Sequence, residues 1–261
     1  MANGTSGTTL TLVPLLPNED PTVTDRLALT VRRAAERGHA DHGWLKSAHT
    51  FSFAGYHDPR HTGHRALRVI NDDAVAAGRG FGAHPHADME IFSYVLDGAL
   101  AHEDSMGHGS TVRAGGVQYM SAGSGVVHAE MNASDEEPVR FLQVWLVPAA
   151  RGTEPRYETL DPAPGATRGA LATLLSPDGR DGSIRSLAPG VVHAGRLDGD
   201  ERIERELGAE GRRHGWLQVA RGRLVANGTA LERGDGVAIE GAGPLALEGG
   251  EGAEVLLFEL D

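Results

Sequence analysis

Two short stretches decide the fold: GFGAHPHADME, residues 80–90, and SAGSGVVHAEM, residues 121–131. In the first stretch His84 and His86 are two residues apart. In the second stretch His128 and Glu130 have the same spacing. Side chains at this spacing lie on one face of a β-strand, so two neighbouring strands would aim them into one space. These candidate ligands are His84, His86, His128 and Glu130.

A set of imidazoles with a carboxylate is typical of a non-haem Fe(II) site or of a related first-row metal centre. Glu90 has the same parity as His84 if the strand continues, so the residues alone leave Glu90 and Glu130 both open as the carboxylate. His102 and His108 lie in a predicted hairpin return and a Gly-rich turn, and we expect replacing them to leave the metal in place.

The surrounding pattern predicts an all-β chain, because short apolar segments alternate with Gly-rich turns, as in a sandwich or a barrel. We predict one strand over His84–Leu96, a hairpin turn at Asp97-Gly98 and a returning strand over Ala99–Asp104. Ala149–Gly169 is rich in Pro, Gly and Arg, and we interpret it as a linker.

A weak internal repeat predicts two similar β domains, assigned to residues 30–150 and 151–261. Gln218–Leu224 is similar to Tyr94–Leu100, and Gly234–Ile239 is similar to Ala114–Tyr119. No register of this self-alignment restores the histidines and the glutamate in the second half. The second domain is therefore predicted to lack a metal.

Composition narrows the function. The 261 residues carry 24 Lys+Arg against 36 Asp+Glu, a formal net charge of -12, and no cysteine. Direct nucleic-acid binding is not expected without a basic cluster, and disulfides and thiolate metal sites are excluded. No apolar run is long enough to span a bilayer, and the N-terminus lacks the features of a signal peptide, so we expect a cytoplasmic protein that does not bind membranes. Residues 1–29 are predicted to form a flexible extension.

Taken together, these motifs resemble the pirin family of bicupins. HPHxDME, SAGxGxxHxE and the segment Arg68–Asp73 carry the resemblance, and WLKSAHTFSF, residues 44–53, is similar to the bacterial branch described as quercetin 2,3-dioxygenases. The resemblance implies two tandem cupin domains, each a jelly-roll β-barrel. It also implies one divalent metal ion in the first barrel, bound by three histidines and one glutamate: His84, His86, His128 and Glu130.

The function implied is a metal-dependent dioxygenase that cleaves the central ring of a flavonol, or a related enolic or phenolic substrate, with O2 and releases carbon monoxide. Glu130 is the expected catalytic base, with Glu90 second, and Met106, Met120, Phe53 and Phe92 are candidate apolar walls. Iron is the first choice of metal, with Ni, Co, Mn, Cu and Zn as alternatives. The alternative function is a metal-binding regulator that acts through a protein partner with little or no catalysis. We expect a monomer.

Overall fold

The computed structural model describes Met1 and residues 27–160, 168–208 and 210–261. Within these residues the chain forms strands and two short 3-10 helices, Ala34–Glu36 and Arg180–Gly182, which confirms the predicted all-β class. None of the helices found there is long and apolar enough to cross a membrane. The strands are β1 Ala28–Arg32, β2 Gly38–Asp41, β3 Leu45–His49, β4 Leu67–Val75, β5 Gly80–His86, β6 Glu90–Asp97, β7 Ala99–Asp104, β8 Gly109–Arg113, β9 Val117–Ser121, β10 Val126–Asn132, β11 Val139–Leu146, β12 Arg156–Leu160, β13 Ala170–Ser176, β14 Ile184–Arg185, β15 Gly190–Gly199, β16 Ile203–Leu207, β17 His214–Ala226, β18 Thr229–Glu232, β19 Gly236–Glu240 and β20 Gly243–Leu260.

Two sheets form the N-terminal barrel. One has seven strands in the order β12-β9-β6-β11-β4-β3-β2, and the other has four strands in the order β5-β10-β7-β8. Strand β10 shows why the sheets face each other. Its residues alternate between buried and more exposed positions from Val126 to Asn132, so one side packs inward and the other faces solvent.

The third sheet has nine strands. Seven follow the order β1-β19-β17-β20-β15-β13-β14, while β16 pairs with β20 and β18 pairs with β17. The long strands β17 and β20 bend through several register shifts, which lets one continuous sheet curve around its own core.

The predicted strand His84–Leu96 is wrong because the chain turns a corner at residues 87–89. Strand β5 ends at His86, in the four-stranded sheet, and β6 begins at Glu90, in the seven-stranded sheet. Asp88 has a φ of 53° at this corner, and its backbone N–H donates to the carbonyl of Gly123 at 2.9 Å. The parity that linked Glu90 to His84 does not survive this turn.

The predicted hairpin at Asp97-Gly98 is also wrong. Gly98 does have a positive φ, 75°, as a tight turn requires. Strand β6 nevertheless pairs with β9 and β11, whereas β7 pairs with β8 and β10. The turn therefore carries the chain from one sheet to the other, as in a jelly roll.

Strand pairing crosses the predicted domain boundaries at two places. Residues 28 and 29, assigned to the extension, open β1, and β1 pairs with β19 of the C-terminal sheet. Strand β12, from the predicted linker and second domain, pairs with β9 at the edge of the N-terminal sheet. Residues 2–26 of the predicted extension lie outside the described part of the chain. Each half thus lends a strand to the sheet of the other, while the boundaries themselves remain predictions.

A large buried cluster joins the seven-stranded sheet to the nine-stranded sheet. The rings of Phe51 and Trp216 lie 4.8 Å apart across this contact, and those of Phe92 and Phe258 lie 6.4 Å apart. Burial of so many apolar side chains stabilises the pair of barrels as one body. The metal-binding candidates lie elsewhere, between the four-stranded sheet and the seven-stranded sheet.

Candidate metal centre

Neighbouring strands bring the three histidines together. Strands β5 and β10 are antiparallel, with His84 opposite His128 and His86 opposite Val126. Strand β5 is the edge of its sheet, where Pro85 is tolerated although it lacks a backbone N–H. His84, His86 and His128 place one potential ligand atom each within 4.8 Å of one another.

The nitrogens of this cluster point toward each other. His84 donates its Nδ1 hydrogen to the carbonyl of Gly82 at 2.7 Å, which leaves Nε2 unprotonated in the neutral ring. That Nε2 lies 3.1 Å from the Nε2 of His128. Two nitrogens bound at about 2.1 Å and at a right angle on one ion would be about 3.0 Å apart. The spacing fits a shared metal ion.

Burial keeps two of these imidazoles neutral. Burial, followed by the nearby His84, lowers the pKa of His86 to about 4. Burial, followed by His84 and His86, lowers the pKa of His128 to about 3. Since a histidine must be neutral to bind a metal, both rings are ready to do so at neutral pH.

Glu130 shares the inward face of β10 with His128, as the parity argument predicts, and its carboxylate points across the barrel. It accepts hydrogen bonds from Ser93 Oγ at 3.1 Å, from Gln143 Nε2 at 2.7 Å and from Gln118 Nε2. Burial raises the pKa of Glu130, although His102, Ser93 and Gln143 act in the opposite direction. Glu130 is not a member of the three-histidine cluster here, so its place as the fourth ligand remains a prediction.

The three donors to Glu130 form one row across the facing sheet. In the strand register, Ser93 of β6 lies opposite both Gln118 of β9 and Gln143 of β11. A cavity of about 10 Å³ lies beside this row and is lined by His128 and Glu130 among others. The histidine and the carboxylate therefore border the same small interior space.

Glu90 has a different role in the structure. Its carboxylate accepts hydrogen bonds from Ser121 Oγ at 2.7 Å, from Tyr119 Oη, and from the backbone N–H of Leu187 at 3.0 Å. Leu187 belongs to the C-terminal half of the chain. Glu90 is thus a buried tie between the two barrels.

His102 lies much closer to the cluster than its place in the sequence suggested. Its Nδ1 is 3.4 Å from the Nδ1 of His128, and its Nε2 is 3.1 Å from the Oδ2 of Asp104. The sequence held a signal for both residues, because they alternate along Ala99–Asp104 as inward side chains of a strand do. The predicted hairpin paired that strand with the segment before it, and no feature of the sequence paired it with β10.

A mainly apolar groove of about 480 Å³ opens beside His86. Val126 and Val127 form part of its wall, and Val127 is 42% exposed. On another side of His86, the ring of Trp145 packs edge to face at 4.9 Å, and Phe53 packs on Trp145 at 5.6 Å. Of the other candidate walls, Phe92 and Met120 border the small interior cavity.

In the described part of the second half, the residues at the positions aligned with the candidate ligands make other contacts. Glu210 is paired with Arg180 at 2.9 Å at the surface, and Leu247 is buried in the C-terminal core. The sole buried histidine–carboxylate pair described there is that of His193 and Glu259, with Nε2 and Oε1 3.0 Å apart. The absence of a metal from this domain remains a prediction.

Comparison with known proteins identifies both halves of the chain. Residues 30–146 match the family model described as Pirin, and residues 173–260 match the one described as Quercetinase C-terminal cupin domain. The chain is 45% identical to Quercetin 2,3-dioxygenase of Escherichia coli K12, over 88% of this chain and 97% of that protein.

Two solved structures of YhhW from Escherichia coli are similar throughout. One has a TM-score of 0.84 at 44% identity and covers 90% of this chain and 98% of that one. The other, described as a bacterial pirin in complex with nickel(II), has a TM-score of 0.82 at 44% identity and covers 89% and 99%. These matches confirm the predicted pair of cupin domains.

Proposed function

Because this chain belongs to the pirin family, we propose that it is a metal-dependent dioxygenase that opens the central ring of flavonols with O2 and releases carbon monoxide. The observation that carries the proposal is the convergence of three imidazoles, with two Nε2 atoms 3.1 Å apart, beside an apolar groove. The name of the relative from Escherichia coli supports the substrate class.

The residues fit a divalent metal ion. We propose that His84, His86 and His128 hold it, with Glu130 as the fourth ligand. All the donors are nitrogen or oxygen, which suits Fe(II), Ni(II) and their neighbours in the first row. Iron remains our first choice, and the nickel(II) complex of YhhW supports nickel as an alternative. When bound, such an ion would lower the pKa of a coordinated hydroxyl and promote the reaction of the resulting anion with O2.

Glu130 is the proposed base for the flavonol 3-hydroxyl. Its burial raises its pKa, so the carboxylate holds a proton more readily than an exposed glutamate would. Ser93, Gln118 and Gln143 hold the side chain in place from the opposite sheet, which fixes where the proton is taken.

The groove beside His86 would bind the flat rings. Its volume of about 480 Å³ is in the range of small-molecule sites, and the valines of β10 offer an apolar wall. His86 lines the groove and belongs to the histidine cluster, so a flavonol bound there would lie next to the proposed metal.

The proposed reaction balances without a further reductant. The two carbon–carbon bonds to the carbon that bears the 3-hydroxyl break, and that carbon leaves as carbon monoxide. Both oxygen atoms of O2 enter the ring-opened product. The protein's contribution would be to orient the flavonol and to accept the proton at Glu130, which then returns it to the carboxylate of the ring-opened product.

The test is oxygen uptake with quercetin by the protein loaded with Fe(II) or Ni(II), with carbon monoxide measured in the same vessel. We expect equal amounts of O2 consumed and carbon monoxide released, and neither from the His84→Ala variant. The matched control is His193→Ala, which removes a buried histidine from the other barrel. A protein that binds the metal but consumes no O2 with quercetin would contradict the proposal and would favour the regulatory alternative.

A further inference from the structure

A histidine and an aspartate stand directly behind His128. We propose that His102 and Asp104 form a hydrogen-bond relay that fixes the tautomer and the orientation of His128. This inference rests on the metal site proposed above, and it assigns its outer support to two residues of strand β7. The register of β7 and β10 places Asp104 opposite His128 and His102 opposite Glu130.

The relay follows from counting protons. To bind a metal through Nε2, His128 must carry its hydrogen on Nδ1. That Nδ1 lies 3.4 Å from the Nδ1 of His102, which must therefore accept the bond and carry its own hydrogen on Nε2. The Nε2 of His102 lies 3.1 Å from Asp104 Oδ2, an acceptor. With both rings neutral and Asp104 accepting, this is the only placement of the hydrogens in which both contacts of the relay have one donor and one acceptor.

The carboxylate end of the relay is fixed by the backbone. Asp104 Oδ1 accepts hydrogen bonds from the N–H groups of Met106 at 2.9 Å and His108 at 3.1 Å. Its Oδ2 remains for His102 and for the Nδ1 of His108, 3.1 Å away. The side chain of Asp104 is 0% exposed, so these bonds hold it without competition from water.

The plane of the His102 ring is fixed as well. Tyr157 of β12 stacks on it with ring centres 4.1 Å apart and an angle of 12° between the planes. The hydroxyl of Tyr157 is 2.5 Å from Ser110 Oγ, on the neighbouring strand β8. Strand β12, assigned from the sequence to the second domain, thus covers one side of the relay in the first barrel.

Three variants separate the relay from simple packing. His102→Leu removes the acceptor, whereas His102→Gln can still accept from His128 and donate to Asp104. Asp104→Asn reverses the chain. Because the Asn oxygen must remain on the N–H groups of Met106 and His108, its amide hydrogens face His102, and His102 must then donate to His128.

The direct readout is the side-chain nitrogen NMR spectrum of the ¹⁵N-histidine-labelled full chain, metal-free and loaded with diamagnetic Zn(II). We expect His128 to be protonated on Nδ1 in the wild type and in His102→Gln. It should become a mixture in His102→Leu and shift to the Nε2–H form in metal-free Asp104→Asn.

The second readout is Ni(II) affinity measured by competition with a chelator. Loss of such outer support typically weakens metal binding about 10- to 100-fold, and we expect this of His102→Leu and Asp104→Asn but much less of His102→Gln. For His102 this replaces the expectation from the sequence that its removal leaves the metal in place, because the ring lies against His128. His193→Leu serves as the control, because it also breaks a buried histidine–carboxylate pair but lies in the other barrel.

The two proposals fail in distinguishable ways. Wild-type protein that binds no metal would overturn the metal site. Wild-type protein that binds Ni(II), with His102→Leu and Asp104→Asn unchanged in affinity and in the tautomer of His128, would overturn the relay alone. A loss of affinity as large in His193→Leu as in His102→Leu would also overturn it.

Discussion

His84 and His128 stand opposite each other on adjacent antiparallel strands, with their Nε2 atoms 3.1 Å apart. The bond from His84 Nδ1 to the carbonyl of Gly82 fixes the hydrogen of His84 on Nδ1. In the proposed relay the bond from His128 to His102 does the same for His128, so two lone pairs would face each other. Lone pairs in this arrangement repel unless a cation lies between them. The centre is therefore pre-organised to bind a positive ion.

We expect one metal ion per chain, because the three-histidine cluster lies in the N-terminal barrel and its ligand positions are not repeated in the other. Elemental analysis of the purified protein measures this ratio. His84→Ala and His128→Ala should reduce the bound metal to nearly none, since each removes a ligand nitrogen, while His193→Ala should keep it. Close to two ions per chain, with one in the second barrel, would show that the repeat argument is wrong.

The two buried glutamates should differ in what they control. Glu130→Gln keeps the shape but removes the charge and the basicity, so turnover of quercetin should fall about 100- to 10 000-fold, the usual contribution of a general base. The measurement is oxygen uptake at matched protein concentration, together with metal content and the unfolding midpoint.

Glu90→Gln is the matched comparison. It replaces one of the two acceptor oxygens that serve Tyr119, Ser121 and the backbone of Leu187 with an amide group, so the free energy of unfolding should fall by about 1–3 kcal/mol. Metal content should stay the same because this carboxylate ties the barrels together. If Glu90→Gln lost the metal and Glu130→Gln kept both metal and turnover, the assignment of the carboxylates would have to be exchanged.

Periodicity could predict the parts of the site that lie within one regular strand. The alternation of β10 places His128 and Glu130 on its buried face, and the spacing of His84 and His86 places both on the same, half-buried side of β5. The two pairs meet because β5 and β10 are neighbours, which the sequence could suggest but not prove.

What periodicity missed depends on contacts between distant residues. The corner after His86 is stabilised by the hydrogen bond from the backbone N–H of Asp88 to the carbonyl of Gly123, and no local sequence pattern predicts it. The turn at Gly98 has the expected positive φ. The partner strand of β7 nevertheless depends on how the two sheets pack, which the turn does not determine. The contact of His102 and Asp104 with His128 could therefore not be predicted, since these residues reach His128 only when β7 pairs with β10.

The pH dependence of metal retention follows from the histidine pKa values. The pKa of His86 is lowered to about 4 and that of His128 to about 3, chiefly by burial, from the usual value of about 6.5. Protons therefore begin to compete with the metal at these two rings only as the pH approaches 4. The rate of Ni(II) transfer to a chelator should show no step from these rings between about pH 7 and pH 5.

The contrasting result would be a steep loss of metal centred near the ordinary histidine value. A midpoint of His86 near that value in the ¹⁵N-histidine spectra of the metal-free protein would show that the ring is solvated and titrates normally. The control is a free histidine peptide loaded with the same metal, which should release it through that ordinary range.

Asp73 provides the last prediction, because this carboxyl is buried in β4 and is 2% exposed. Burial, opposed by a hydrogen bond from Ser47 and reinforced by the charges of Asp72 and Glu130, raises the pKa of Asp73 to about 7. The folded protein therefore keeps a proton that the unfolded chain releases near pH 3.9. In that window the native state binds more protons, so the free energy of unfolding falls as the pH rises and reaches its full loss above about pH 7.

Asp73→Asn removes this dependence, because the amide is neutral at every pH. Relative to the wild type, the variant should gain little stability near pH 4 and progressively more toward pH 8, up to a limit of about 4 kcal/mol for a shift of about three units. Urea unfolding of both metal-free proteins at several pH values measures the difference, in which the contributions of the histidines cancel. Asp41→Asn, at an exposed position, is the control and should stay within about 0.5 kcal/mol of the wild type. A constant difference between Asp73→Asn and the wild type from pH 4 to pH 8 would show that Asp73 is ionised inside the barrel.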